Sequence, residues 1–388
     1  MRIGVKYKAL ISIILVVLSL VPFDTSAASK NVISWAAAVE KMDKSNGTLM
    51  NMADSESLAR KQYEASLISK TIDPDGVSLS IMGQGFFFEY SSVLKLYMTQ
   101  RKELFPEQMK YSWEMAKGSR EMTRNSMITG MRGLYLGLYT SDNDLKLKQK
   151  RYDLTVTIHN QNKLKYEKGI ITALELEESE YSVLSAKMAV KAAERNLENV
   201  LRSLNAFIGE DINEKYDSII YNEKYDASRL KSLDFYVGKA LETRMEVVSV
   251  KRQIELMELN KDIMERNPYS LYASDVKKTY EKLIEDIDYE KIKLEQALIE
   301  VEKNINDAYL DVVDTQKNLT SIEKKLKIQK SNLKKVKLRY EAGLISRFIY
   351  DQEQLNLEEY ENSYKAALFD YNTRLMKLEF AAGIGPAY

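Results

Sequence analysis

The chain of 388 residues has no cysteine, so neither a disulfide framework nor thiolate chemistry contributes to it. Its single histidine, His159, lies mid-helix among polar residues and reads as a solvated surface residue. A lone imidazole without an oriented partner is a poor general base or metal ligand. No phosphate loop or nucleophile elbow occurs. An excess of either charge is also missing: 57 basic residues face 57 acidic ones, which argues against a nucleic-acid partner. Only five prolines and 15 glycines are present, while 29% of residues are charged. That composition points to long, solvated helices.

Beyond the first residues, no run is apolar enough for a membrane helix. The exception is N-terminal. Arg2, Lys6 and Lys8 precede an apolar segment over 9–21, and Thr25-Ser26-Ala27-Ala28 offers small residues for cleavage. Residues 1–28 therefore read as a secretory signal peptide, and no Cys follows to make a lipoprotein anchor. The mature chain is expected outside the cytoplasm.

One segment occurs twice. Residues 166–209 and 340–383 align without a gap, 174 positions apart. Both open on Tyr-Glu-x-Gly (Tyr166 to Gly169, Tyr340 to Gly343), share Lys-Ala-Ala, and close on Gly209 and Gly383. A period this long marks a duplicated supersecondary unit. The expected organisation is a first helical-hairpin repeat over 29–209, a polar linker over 210–233 and a second repeat over 234–388. The fold class expected is all-α, with long antiparallel coiled-coil hairpins in two tandem repeats.

Within the first repeat a helix is predicted over 34–69, weakly broken at Asn46-Gly47. Asp73-Pro74-Asp75-Gly76 is a turn signal, and Val77, Leu79 and Ile81 alternate with serines. At most one short β-hairpin fits, near 77–90. Helix resumes over 91–168, with Pro106 kinking it or starting it anew. Gly130, Gly133 and Gly137 share a face, as for close packing on a neighbour. In the second repeat, helix is predicted over 237–266, a break over 267–274, and one helix over 275–339, on the order of 100 Å long. Leu319, Ile322, Leu326, Leu333, Val336 and Tyr340 form a heptad seam. Tyr360, Tyr364, Ala367, Tyr371, Leu375 and Leu378 form one on the returning helix, as do Leu197, Leu201, Leu204 and Ile208 in the first repeat.

The turns joining these helices are legible residue by residue. Gly169 and Gly343 suit the left-handed helix terminator. Ile170-Ile171 and Leu344-Ile345 follow, then Thr172 and Ser346 as caps of the descending helices. Glu175 completes a capping box with Thr172, whereas Ile349 stands at the corresponding position after Ser346. Ile170 and Leu344 occupy the apex of each hairpin, where one hairpin has little to bury them against. They are candidates for a docking surface.

These tips carry a resemblance. An aromatic residue, two positions, Gly, an aliphatic residue, then an Ala/Leu-rich helix closing on Gly is the pattern of the TolC family of outer-membrane efflux proteins. The chain resembles that family over about residues 34–383. The resemblance implies an exit duct of a tripartite efflux or type I secretion system, forming a trimer. It implies tips that dock a periplasmic-type adaptor (a membrane fusion protein) linked to an inner-membrane pump. It also implies polar aperture contacts between repeats. Tyr340 matches one such position and Glu175 the acidic one. Ile345 replaces the family's Arg, with Arg347 two residues on, so a Glu175–Arg347 contact and a plain capping role for Glu175 both stand. No cofactor or metal is implied.

The membrane end departs from that pattern. A transmembrane strand needs roughly 9–11 residues, and residues 267–274 hold no strand pair. A complete outer-membrane barrel is not expected, so the location expected is the outer membrane where the host has one, otherwise the envelope or wall. The competing reading is an extracytoplasmic scaffold or spacer without transport. An enzyme has little support. Glu177, Glu178 and Glu180 lack His or Cys nearby and read as a solvated face.

Overall fold

A computed structural model of the chain describes residues 31–385; the predicted signal peptide lies outside them. After a two-residue strand, β1 (Val32–Ile33), come α1 (Trp35–Ser45) and α2 (Gly47–Ser66). Asn46 makes the break between them. Its Oδ1 accepts from the Thr48 and Leu49 amides at 3.0 and 3.4 Å, and its Nδ2 donates to the Phe207 carbonyl at 3.0 Å. One hairpin follows, β2 (Gly76–Ile81) antiparallel to β3 (Gln84–Glu89), with Val77 opposite Phe88 and Leu79 opposite Phe86. Then come α3 (Ser92–Thr99), a π-helical turn (Gln100–Leu104) and α4 (Phe105–Glu167), 63 residues long. Pro106 follows closely on the π-helical turn, and the helix runs through both with Leu104 and Phe105 in helical conformation. Helix α5 (Ala173–Ile208) returns.

The second repeat comprises β4 (Ser218–Ile219), α6 (Leu233–Thr243), α7 (Met245–Glu265), a 3₁₀ turn (Pro268–Tyr272), α8 (Ser274–Glu341) and α9 (Arg347–Ala381). The single helix expected over 237–266 is in fact two. Arg244 is extended (φ −64°, ψ 132°), and Thr243 Oγ1 donates to the Ala382 carbonyl at 3.1 Å. A parallel pairing of β1 with β4 was also not foreseen. Ser34 and Ser232, the caps of α1 and α6, stand 198 residues apart, whereas Gly209 and Gly383 stand 174 apart. The first repeat therefore carries 24 additional residues, and its β2–β3 hairpin lies in that stretch.

Helix α4 packs on α5, α9 on α8, and α4 on α9. The long helices thus run side by side in the order α5, α4, α9, α8. The predicted seam of α8 is inward: Leu319 and Leu326 are buried, with Ile322, Leu333 and Val336 half-buried. Ala367, Tyr371, Leu375 and Leu378 of α9 are buried in the same core. Each such apolar side chain contributes roughly 1.5–3 kcal/mol when fully buried. A Cβ on Gly130 or Gly137 would touch Phe207 or Val200 of α5 at 3.5 or 3.4 Å, while Gly133 faces open space. Two of the three glycines serve the helix contact.

Residues 210–232 form a belt rather than a free tether. Asn205 and Glu379 occupy equivalent repeat positions, both buried, and each grips one end of it. Asn205 donates to the Glu214 carbonyl at 2.8 Å and accepts from Tyr216 Oη at 3.0 Å. Glu379 accepts two bonds from Arg229, at 2.9 and 2.7 Å. Between them Glu223 pairs with buried Arg132 at 2.7 Å, and Tyr135 Oη donates to the Ile220 carbonyl. Burial pushes the Tyr135 and Tyr216 hydroxyls up to about 12.

Candidate functional site: two hairpin tips

Both tips are built by the same backbone device. At the first, the Gly169 amide donates to the Tyr166 carbonyl at 2.8 Å and the Ile170 amide to the Lys165 carbonyl at 2.9 Å. At the second, Gly343 bonds Tyr340 and Leu344 bonds Arg339, both at 2.9 Å. This crossed pair is the Schellman motif, and it needs a left-handed residue. Gly169 and Gly343 supply it at φ 69° and 70°. Thr172 Oγ1 then accepts from the Glu175 amide at 3.3 Å, and Ser346 Oγ from the Ile349 amide at 3.4 Å.

The tips differ in charge chemistry. Glu175 accepts from the Thr172 amide at 2.7 Å and the Thr172 hydroxyl at 2.9 Å. Those bonds, the backbone one first, hold its carboxyl below the usual carboxylate range. The second tip has an aromatic clasp instead. Tyr340 and Tyr350 stack at 5.1 Å, and Arg347 lies 5.9 Å from each ring while its Nε donates to Asp351 at 2.7 Å. Within the chain, then, Glu175 is engaged by its own cap and Arg347 by Asp351 and two tyrosines. The structure does not bring Glu175 and Arg347 together within one copy.

Ile170 and Leu344 are 66% and 70% exposed, while the following Ile171 and Ile345 are half-buried. Leu174 adds an apolar surface at the first tip, as do Phe348 and Ile349 at the second. The two tips lie at the same end. Lys150, nineteen residues before Gly169, pairs with Glu358, fifteen residues after Gly343, at 2.6 Å. Arg151, eighteen before Gly169, pairs with Glu359, sixteen after Gly343, so differences of four and two residues set the first tip roughly 3–6 Å beyond the second.

His159 corrects the sequence reading. It is buried between α4 and α5, with Nδ1 2.7 Å from Ser179 Oγ. Ser179 Oγ also lies 2.8 Å from the Leu176 carbonyl, and the imidazole tautomer decides which side chain donates in the His159–Ser179 pair. The polar residues beside His159 in sequence conceal that its own face meets α5. Glu177, Glu178 and Glu180 are exposed, as read. Among the described residues, no group of three or more His, Cys, Asp or Glu side chains is arranged to hold a metal. No helix of the described residues is long and apolar enough to cross a membrane. A cleft of about 740 Å³ lies far from the tips, where Gly118 meets the α6–α7 break, lined by charged residues such as Arg120, Arg124 and Glu246.

No family model matches the sequence, and no curated relative matches it. Solved structures do. A membrane protein from Pseudomonas aeruginosa aligns over 92% of this chain and 92% of its own, at 12% identity and a TM-score of 0.60. The CmeC outer membrane channel of Campylobacter jejuni aligns over 91% and 87%, at 14% identity and 0.59. The outer membrane protein VceC of Vibrio cholerae aligns over 90% and 96%, at 10% identity and 0.58. At such identities the likeness is one of fold. Long paired helical hairpins in two repeats, with Gly-terminated tips at one end, give this chain the TolC-type fold.

Proposed function

We propose that this chain is the exported duct subunit of an efflux or secretion assembly, non-enzymatic and working as a homo-oligomer, with a trimer as the first expectation. The observation that carries the reading is the pair of matched tips. Two apolar apex residues, Ile170 and Leu344, are held rigidly at one end of the molecule by identical backbone caps. A rigid apolar apex presents a docking surface at little entropic cost. The partner proposed is the helical hairpin of an adaptor that bridges to an inner-membrane pump. Fold likeness to outer-membrane channels supports the duct.

Among the described residues the opposite end offers one β-hairpin of two six-residue strands, and a 3₁₀ turn where the second repeat could have held another. We therefore place this end at an envelope layer without a complete barrel of its own. Copurification with a membrane-fusion adaptor tests the tips, comparing wild type with Gly343→Asp plus Leu344→Asp. Loss of the adaptor is the expected result, and undiminished binding refutes tip docking. The scaffold reading is favoured instead if the mature chain stays monomeric in light scattering at high concentration.

A further inference from the structure

The two tips share a backbone but not their side chains, and the difference centres on one residue. Arg347 opens α9, and the first turn of that helix holds no acidic residue. A cation at a helix N-terminus opposes the macrodipole. At the equivalent place 174 residues earlier, α5 opens on Ala173 and carries Glu175 in its first turn, the sign that the dipole favours. Arg347 breaks a local rule that its repeat partner obeys, so something other than the helix sets the choice there.

A clasp holds Arg347 in place, and the first tip lacks it. Nε donates to both Asp351 oxygens, at 2.7 and 3.0 Å. The guanidinium carbon lies 5.9 Å from the Tyr340 ring centre and 5.9 Å from that of Tyr350, and the two rings stack within 7° of parallel. At the first tip Ala173 and Leu176 stand where Arg347 and Tyr350 do, so the same clasp cannot form. The clasped Arg347 side chain is nevertheless 67% exposed. No carboxylate other than that of Asp351 pairs with it among the described residues. A guanidinium held through Nε still has the donors of its two terminal nitrogens, and their planar fork fits a carboxylate. Exposed apolar side chains stand beside it, Leu344 at the apex with Phe348 and Ile349 in the same turn of α9. The surroundings are basic as well. Residues 334–351 hold five basic and two acidic residues, whereas the equivalent residues 160–177 hold three of each.

We propose that the second tip reads a carboxylate on the adaptor. An apolar side chain of the adaptor's helical hairpin seats on Leu344 and Phe348, and an acidic side chain within one turn of it pairs with Arg347. The first tip offers its apolar apex without a cation at this position, so the two tips are not interchangeable. Arg347 determines specificity, while Tyr340, Tyr350 and Asp351 are positioning residues that hold its fork ready and so lower the ordering cost of docking. Charge pairing of this kind selects the partner and fixes its register. The inference rests on the tip docking proposed above and names what one of the tips recognises.

The test uses the mature chain and the membrane-fusion adaptor that copurifies with it, with affinity measured at low and high salt. Arg347→Glu is expected to weaken binding about ten-fold or more, and Arg347→Lys less, because an ammonium keeps the charge and loses the fork. Tyr350→Leu copies the first tip and weakens binding about three-fold by freeing the fork. Wild-type binding falls with salt more steeply than that of Arg347→Gln, a difference that a purely structural role for Arg347 does not produce. Changing one acidic residue of the adaptor's hairpin end to Lys restores binding to Arg347→Glu; if no such change restores it, the proposal is overturned. Circular dichroism identical to wild type shows that folding is intact. If Arg347→Glu binds as tightly as wild type while Gly343→Asp with Leu344→Asp abolishes binding, this inference is overturned and tip docking stands. Binding unaffected by either overturns both. An altered oligomeric state of Arg347→Glu in light scattering, with adaptor affinity unchanged, assigns Arg347 to a contact between copies and also overturns the proposal.

Discussion

Replacing Glu223 by alanine tests whether the belt between the repeats is part of the core. The Arg132 and Glu223 side chains are 7% and 16% exposed, and their ion pair measures 2.7 Å. An exposed pair contributes at most about 1 kcal/mol, but removing one partner of a buried pair costs about 3–5 kcal/mol because the other charge stays desolvated. Arg132 keeps some support. Its guanidinium lies 4.2 Å from the Phe369 ring and 5.0 Å from Trp35, and its Nε donates to Thr373 at 3.0 Å. Ring contacts of this kind contribute about 0.5–2 kcal/mol. The expected loss is therefore near the lower end, about 3 kcal/mol. Glu223→Gln keeps an acceptor for Arg132 and costs less, about 1–2 kcal/mol. Urea unfolding followed by tryptophan fluorescence measures both, because Trp35 sits on Arg132 and the chain has only two tryptophans. The midpoint should fall with the slope unchanged. A loss under about 1 kcal/mol for Glu223→Ala would assign the pair to the surface class and make the belt a loose tether.

Other substitutions probe the caps and the buried phenols. Gly343→Ala meets no atom within 4 Å and bears only the left-handed backbone penalty, about 1 kcal/mol. Gly209→Ala adds a clash, its Cβ 2.7 Å from Ser45 Cβ and 2.8 Å from the Ser45 carbonyl, so about 2–4 kcal/mol is expected from the same urea unfolding. Thr172→Ala removes a cap hydroxyl, costing about 0.5–2 kcal/mol, and should also raise the Glu175 carboxyl toward its ordinary value. Because that carboxyl is depressed in the fold, its contribution is present above the ordinary carboxylate range and fades as pH falls below it; an unshifted Glu175 resonance in the variant contradicts the capping box. At the alkaline end, Tyr135, Tyr216 and Tyr371 are raised to about 12 by burial. Raised phenols stabilise the fold fully below about 10 and lose that contribution as pH rises through about 12. Ultraviolet titration should show a late phenolate fraction that merges with the rest in urea.

Much of the architecture was readable because it depends on local chemistry. Gly169 and Gly343 announce left-handed termini, Thr172 and Ser346 announce caps, and the seam over 319–340 announces a coiled coil. What escaped depends on distant contacts. The α6–α7 break at Arg244 has no glycine, proline or asparagine to signal it. There Arg244 turns extended where the helix end meets the other end of the repeat, Thr243 Oγ1 lying 3.1 Å from the Ala382 carbonyl and 2.8 Å from that of Lys239. His159 was misread because its burial is set by α5, twenty residues further on, and not by its sequence neighbours. The belt over 210–232 looked like a spacer because its polar residues are satisfied only by partners from both repeats, such as Arg132, Asn205 and Glu379.

The duplication separates two kinds of position. Residues that shape a hairpin are alike in both copies, because every helical hairpin of this geometry needs a left-handed terminator and a hydroxyl cap. Residues that meet the rest of the molecule have diverged, because the two copies have different surroundings. Asn205 and Glu379 show this at one repeat position. Each sits where a descending helix ends on its Gly, buried and facing the same belt. Asn205 meets backbone carbonyls and a tyrosine hydroxyl, for which a neutral amide suffices. Glu379 meets the Arg229 fork, which calls for a carboxylate. The tips follow the same logic. The first tip spends its acid on its own cap, and the second spends its arginine on a tyrosine clasp. In the duct proposed above, a polar contact between copies at these tips competes with these internal bonds.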